Sequence, residues 1–199
     1  MVLDNGTYWI LYSVPHVSGA MAGFVQGTGA SLNGSFSSTD AIDFNVAGQG
    51  INIAAVSAGY GVLQSFNGSV TYPSLNQTYT FTTSYNAAYE QSPSLSAIAG
   101  TYTGLASTLG SNQLTTIAIS SVGVLAGTDS GGCAFLGAAV PRATGNLYDL
   151  AFVFGGGTCA NGTNAVSGIG YLDSSAKRLY VAALNRSRTE GLVFVGIKP

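Results

Sequence analysis

The sequence predicts an all-β protein: an N-terminal irregular antiparallel β subdomain packed on a C-terminal eight-stranded antiparallel up-and-down barrel. Three observations predict it. Charged residues make up only 7% of 199 residues, beside 28 glycines, where soluble proteins ordinarily carry about a quarter charged. Polarity comes instead from Gly, Ser, Thr and Asn mixed with Tyr, Phe, Val and Ile, a blend that favours strands and tight turns. Beyond residue 100, apolar runs follow one another through short Gly-, Asn- and Ser-rich links.

The N-terminal half is taken first. Asn5-Gly6 is turn chemistry, and Thr7 to Tyr12 reads as a strand that Val14-Pro15-His16 breaks. Met21 to Gln26 is a second strand, followed by turns at Gly27-Thr28-Gly29 and Asn33-Gly34. Phe36, Ile42, Phe44 and Val46 mark short strands around Ser37-Ser38-Thr39-Asp40, and Ile51 to Tyr60 reads as a longer one. Val62–Phe66 and Ser69–Tyr72 form a hairpin over Asn67-Gly68. Thr78 to Tyr85 sets Tyr79, Phe81, Thr83 and Tyr85 against Thr80, Thr82 and Ser84, the cleanest alternation of this half.

One stretch reads as helix. Ser92 caps it, Pro93 suits its first position and Gly100 ends it. The expected organisation is residues 1–91 as a β subdomain, 92–100 as a short helical joint and 101–199 as the barrel.

The barrel strands are expected at 101–107, 113–120, 124–128, 133–141, 147–155, 165–172, 178–184 and 192–197. Sequential hairpins of this number close into a barrel without free edges; a β-sandwich is the alternative. The last hairpin is apolar on both faces, from Leu179-Tyr180-Val181-Ala182 to Leu192-Val193-Phe194-Val195. Its outer face is therefore expected to be covered, most simply by the N-terminal half.

Residues 133–159 form the central hairpin of this plan. Folded about Asn146, position i meets 292 − i, so Val140 faces Phe152 and Cys133 faces Cys159. A disulfide between these two cysteines is expected, with a pair of buried thiols as the alternative.

All six Lys and Arg lie beyond residue 140, and the first hundred residues hold only acids. Neither half approaches the charge density of a nucleic-acid binder. No run reaches the roughly 18 apolar residues of a membrane helix. Met1-Val2-Leu3-Asp4 leads straight into a turn, so the expectation is a mature exported chain whose leader has been removed.

A resemblance is carried by Gly100-Thr101-Tyr102-Thr103-Gly104, by Gly132-Cys133-x-Phe135-x-Gly137, by Tyr148-Asp149 and by Gly156-Gly157-Thr158-Cys159. Leu179-Tyr180-Val181-Ala182-Ala183-x-Asn185 and Phe194-Val195-Gly196-x-Lys198 complete it. The chain resembles small exported proteins and lipoproteins of Burkholderia- and Pseudomonas-type bacteria. In architecture it is similar to neisserial factor H-binding and transferrin-binding surface lipoproteins. The resemblance implies export and a lipid anchor on an upstream Cys that this sequence does not contain. It transfers no binding residues.

Candidate chemistry is thin. His16 is the sole histidine, beside Pro15, with no nucleophile-elbow motif to join it in a triad. Ser174-x-x-Lys177 has acylating spacing but falls in a turn between strands. Asp40 and Asp43 match no calcium-loop spacing, and Gly155-Gly156-Gly157 precedes no helix that would cradle phosphate. Asn-Gly-Ser/Thr triplets at Asn5, Asn33, Asn67 and Asn161 read as turns. Lys177, Arg178, Arg186 and Arg188 are the best partner-binding candidates, against the plainer role of keeping an apolar domain soluble.

The expected function is a non-enzymatic, exported surface or periplasmic β protein acting as antigen, binder or adhesin through its loops and an exposed sheet face. It would contact a host or envelope protein, needing no cofactor, metal or nucleic acid, and would be monomeric. The alternatives are a carrier enclosing a small apolar ligand and an outer-membrane barrel.

Overall fold

The computed structural model describes residues 5–17 and 20–199. Met1–Asp4, read as leading straight into a turn, lie outside the described residues. The chain divides into two compact units, one of Met1–Tyr12 with Gly23–Ala88 and the other of Ser13–Ala22 with Tyr89–Pro199.

The first unit is an open antiparallel sheet. Its strands are β1 (Thr7–Ser13), β2 (Met21–Thr28), β3 (Ala30–Leu32), β4 (Ser35–Asn45), β5 (Gly50–Gly61), β6 (Ser65–Tyr72) and β7 (Gln77–Phe81). They run in the order β1-β2-β4-β5-β6-β7, with β3 paired to β4. Asn33 and Gly34 join β3 to β4 with φ of 50° and 81°, the left-handed pair that a tight hairpin demands. One face of the sheet carries a core of Tyr8, Val25, Phe36, Val56 and Val70.

Two expectations for this half are corrected. Ser37 to Asp40 is no turn between separate strands. It lies within β4, whose pairing with β5 slips between Ser38 and Ala41 as at a β-bulge. Asn67-Gly68 is no hairpin turn either, since β6 runs straight through it. The turn lies earlier, where Leu63 takes φ 54° and Gln64 N–H donates to Gly61 O at 3.0 Å. Gly68 is needed for packing, because a Cβ there would sit 2.1 Å from Ser57 O. Asn67 Oδ1 accepts from Thr83 N–H at 2.7 Å.

The second unit is the closed barrel. Its strands are β8 (Gly100–Thr108), β9 (Ser111–Ile119), β10 (Val124–Asp129), β11 (Ala134–Pro141), β12 (Tyr148–Phe154), β13 (Ala165–Asp173), β14 (Arg178–Leu184) and β15 (Gly191–Ile197). Each pairs antiparallel with its neighbours, and β15 returns to β8 to close the ring. Alternation aims Ile117, Leu125, Phe135, Leu150, Phe152 and Phe194 into one buried core. On β14 and β15 the alternate residues Ala182, Leu184 and Val193 are buried as well.

The interior is filled. At the disulfide end the free space is about 40 Å³, room for a water molecule rather than a ligand. The opposite end holds the short helix α1 (Leu95–Ile98), whose Ile98 belongs to the barrel core. Ser94, not Ser92, caps it, accepting from Ala97 N–H at 3.1 Å. Tyr102 donates to Ile98 O at 2.8 Å and Tyr148 donates to Ser94 O at 3.0 Å. Burial, with Tyr148 adding, pushes the Tyr102 phenol up to about 12. Lys198 Nζ donates to Ala99 O at 2.9 Å just past the helix. Residues expected to act as a joint thus stopper the barrel.

The central hairpin exists, but its register is not 292 − i. Val140 pairs with Asp149 and Phe135 with Phe154, three residues from the expected alignment. The loop runs from Arg142 to Leu147, closed by Arg142 N–H donating to Leu147 O at 3.0 Å. Asn146 and Leu147 are buried, so Asn146 is not the apex. Cys133 and Cys159 still form the disulfide, because the chain curls back beyond β12. Gly155 N–H donates to Ala134 O at 2.9 Å, and Cys159 N–H donates to Gly156 O at 3.2 Å.

Candidate functional site on the outer wall of the barrel

The four expected partner-binding cations do not gather. Lys177 and Arg178 sit at the turn entering β14, Arg186 and Arg188 in the turn leaving it. The seven residues of β14 hold the two pairs roughly 20 Å apart. Arg178 lies near Tyr180, its Nη1 donating to the phenol oxygen at 3.4 Å. Arg188 takes φ 59° in a turn tied by Asn185 N–H to Glu190 O at 2.8 Å. In the Ser174–Lys177 turn, Lys177 O accepts from Lys198 N–H at 2.9 Å, and the side-chain bond is made between Ser175 and Asp173. Asp173 accepts from Ser175 Oγ at 2.6 Å and from Ala176 N–H at 3.1 Å, contacts that hold its carboxyl below the usual range. His16 is exposed at a turn with φ 63°.

The two aspartates are engaged by protein groups. Asp40 accepts from Thr28 N–H at 2.9 Å, Thr28 Oγ1 at 2.6 Å and Ser38 Oγ at 3.0 Å. Asp43 is buried on β4 and accepts from the phenols of Tyr12 at 2.6 Å and Tyr72 at 2.9 Å. Burial raises the Asp43 carboxyl, and the two phenol donors only partly offset that. A raised folded-state value means stability that is full below the unfolded value and lost as pH rises through the folded one. Asp43→Asn should therefore gain stability relative to the parent as pH rises above the ordinary carboxylate range, and lose that advantage below it. Paired thermal melts across pH 3–8 check this; a difference independent of pH refutes it. Nothing in the residue pattern announced this cluster, because three polar groups separated by about thirty positions each look like ordinary strand residues.

The exposed sheet face that the sequence leaves without a location is the outer wall of β9 to β12. Strand register places Ala118, Ala126, Leu136 and Val153 in one continuous row across these four strands. Flanking rows add Leu114, Val124 and Val140. Leu136 is 66% exposed, Leu114 60%, Val124 58%, and Val140 and Val153 56%. These are the positions where alternation puts polar residues on a water-facing strand. An open groove of about 650 Å³ crosses the row, bordered by Thr116, Thr128, Ala134 and Phe154, with no charged residue in its lining. On this wall Asp149, at the far end of β12, is held by Arg142 in a 2.6 Å ion pair. Phe135 supports the floor, its ring lying where a side chain on Gly127 would project, 2.3 Å from that Cβ position.

Contiguous apolar surface on a folded protein marks an interaction site more often than chance. Fold and wall together define a disulfide-bridged, closed β-barrel joined to a second, open antiparallel sheet. No family model, curated protein or solved structure matches the chain. The disulfide suits an oxidising, non-cytoplasmic compartment. Among the described residues no helix is long and apolar enough to cross a membrane.

Proposed function

We propose that this chain is a non-enzymatic, exported bacterial β protein of the surface or periplasm that binds a host or envelope protein through the β9–β12 wall. The observation that carries the reading is the exposed row Ala126-Leu136-Val153, where a water-facing barrel would be polar. Apolar side chains of a protein partner are its fitting occupant, since an uncharged groove offers no selectivity for ionic ligands. The disulfide supports the exported compartment.

The filled interior weighs against a carrier, because pockets for small ligands ordinarily enclose about 300–1,000 Å³. Membrane barrels are polar inside and span with about 9–11 residues per strand. This barrel is apolar inside, and its β10 has six residues.

The test pairs Leu136→Lys with Val153→Glu, which face each other across β11 and β12 and so form a tolerated opposite-charge pair. Saturable binding to immobilised serum and envelope protein fractions should fall about tenfold or more, with an unchanged melt. Lys177→Ala/Arg178→Ala should bind as the parent does. Equal binding by the wall variant overturns the wall as the site, and His16-dependent turnover in a hydrolase screen overturns the non-enzymatic reading.

A further inference from the structure

We infer that the β7 edge of the open sheet pairs antiparallel with the β7 edge of a second copy of this chain, across a two-fold axis at Tyr79. This rests on different residues from the barrel wall and stands independently of it. Among the described residues β7 ends its sheet, hydrogen-bonded to β6 on one side. Natural edges are blunted by charge, proline, a bulge or extreme shortness. The sheet's other end strand, β1, has six of its seven residues at least partly buried, and β3, paired to β4, has three residues. β7 has five, Gln77-Thr78-Tyr79-Thr80-Phe81, with neither charge nor proline, and all but Phe81 are exposed. Its register with β6 is unbroken from Gly68–Phe81 to Tyr72–Gln77.

The occupant follows from what each face of β7 already carries. On one face Thr78 Oγ1 lies 3.1 Å from Thr71 Oγ1 of β6. On the other, Tyr79 meets Tyr72 ring edge to face at 5.9 Å, and Phe81 stacks on Phe66 at 5.7 Å. A two-fold at Tyr79 sets Thr78 opposite Thr80 of the second copy and Tyr79 opposite itself. The threonine ladder and the aromatic row both continue into the neighbour, and both are favourable cross-strand pairs. No charge opposes the contact. An interface of five residues a side is far smaller than the roughly 20–30 of a stable complex, so the dimer is weak and the monomer prevails in dilute solution.

Register-specific cross-linking of the full chain tests this. Opposed strand positions lie about 4.5–5.5 Å apart, within disulfide reach. Tyr79→Cys should therefore form a linked dimer about tenfold or more faster than Val62→Cys, a control at a turn residue 75% exposed. Gln77→Cys and Phe81→Cys should link to each other when mixed and not to themselves, because self-pairs lie about 14 Å apart along the strand direction. Sedimentation of the unmodified chain should show a dimer fraction that grows with concentration and vanishes in Thr80→Pro. Cross-linking at 79 no faster than at 62 overturns the proposal. So does self-linking at 77 or 81 matching the mixed rate, or sedimentation as monomer at every concentration.

Discussion

Cys133→Ala/Cys159→Ala is expected to lower the unfolding free energy by about 3–4 kcal/mol, the chain-entropy value for a loop of this size. The bridge closes a sequence separation of 26 residues, and both half-cystines are buried in the barrel core. Loss should concentrate at the curl after β12, where short turns at Gly156 and Cys159 hold the chain. Chemical denaturation of the bridged and double-alanine forms measures the difference. Hydrogen exchange should find residues 155–164 opening before the rest of the barrel. A difference under about 1 kcal/mol would mean that the packing of Phe135 and Phe154 holds this end without the bridge.

Phe152→Ala should cost about 3–5 kcal/mol, the range for removing an aromatic side chain from a tight core. Phe152 is wholly buried, and its ring meets Phe135 edge to face at 5.9 Å. The barrel has little freedom to collapse into the vacancy, since every strand is bonded on both sides. Phe152→Leu should recover more than half of the loss, because it leaves a smaller void. Equilibrium unfolding of the three chains checks the order. The carrier reading would gain from one outcome: an alanine variant that keeps the parent's stability, since that requires a loosely filled interior.

Much of the barrel was legible in the sequence. Inward aromatic and branched residues alternate along β9, β11 and β12, and the links are short, so strand positions follow to within one or two residues. Register was less legible. Gly145-Asn146 looks like a tight turn, but Asn146 and Leu147 are buried and the loop opens wider. Asn67-Gly68 misled in the opposite direction, because a glycine that permits close strand packing reads the same as one that turns the chain. The wall was illegible for a further reason. Phe135-Leu136 and Phe152-Val153 are apolar at both alternating positions, and sequence alone does not say which apolar row meets water.

Because the barrel is stoppered by Ile98 at one end and filled to its disulfide end, its two surfaces answer to different constraints. The inward row is locked, its side chains buried together in one cluster. The outward row on β9 to β12 touches little and is released from that lock. Descendants of this scaffold can therefore exchange Leu114, Val124 or Leu136 for new specificities while inheriting an unchanged frame.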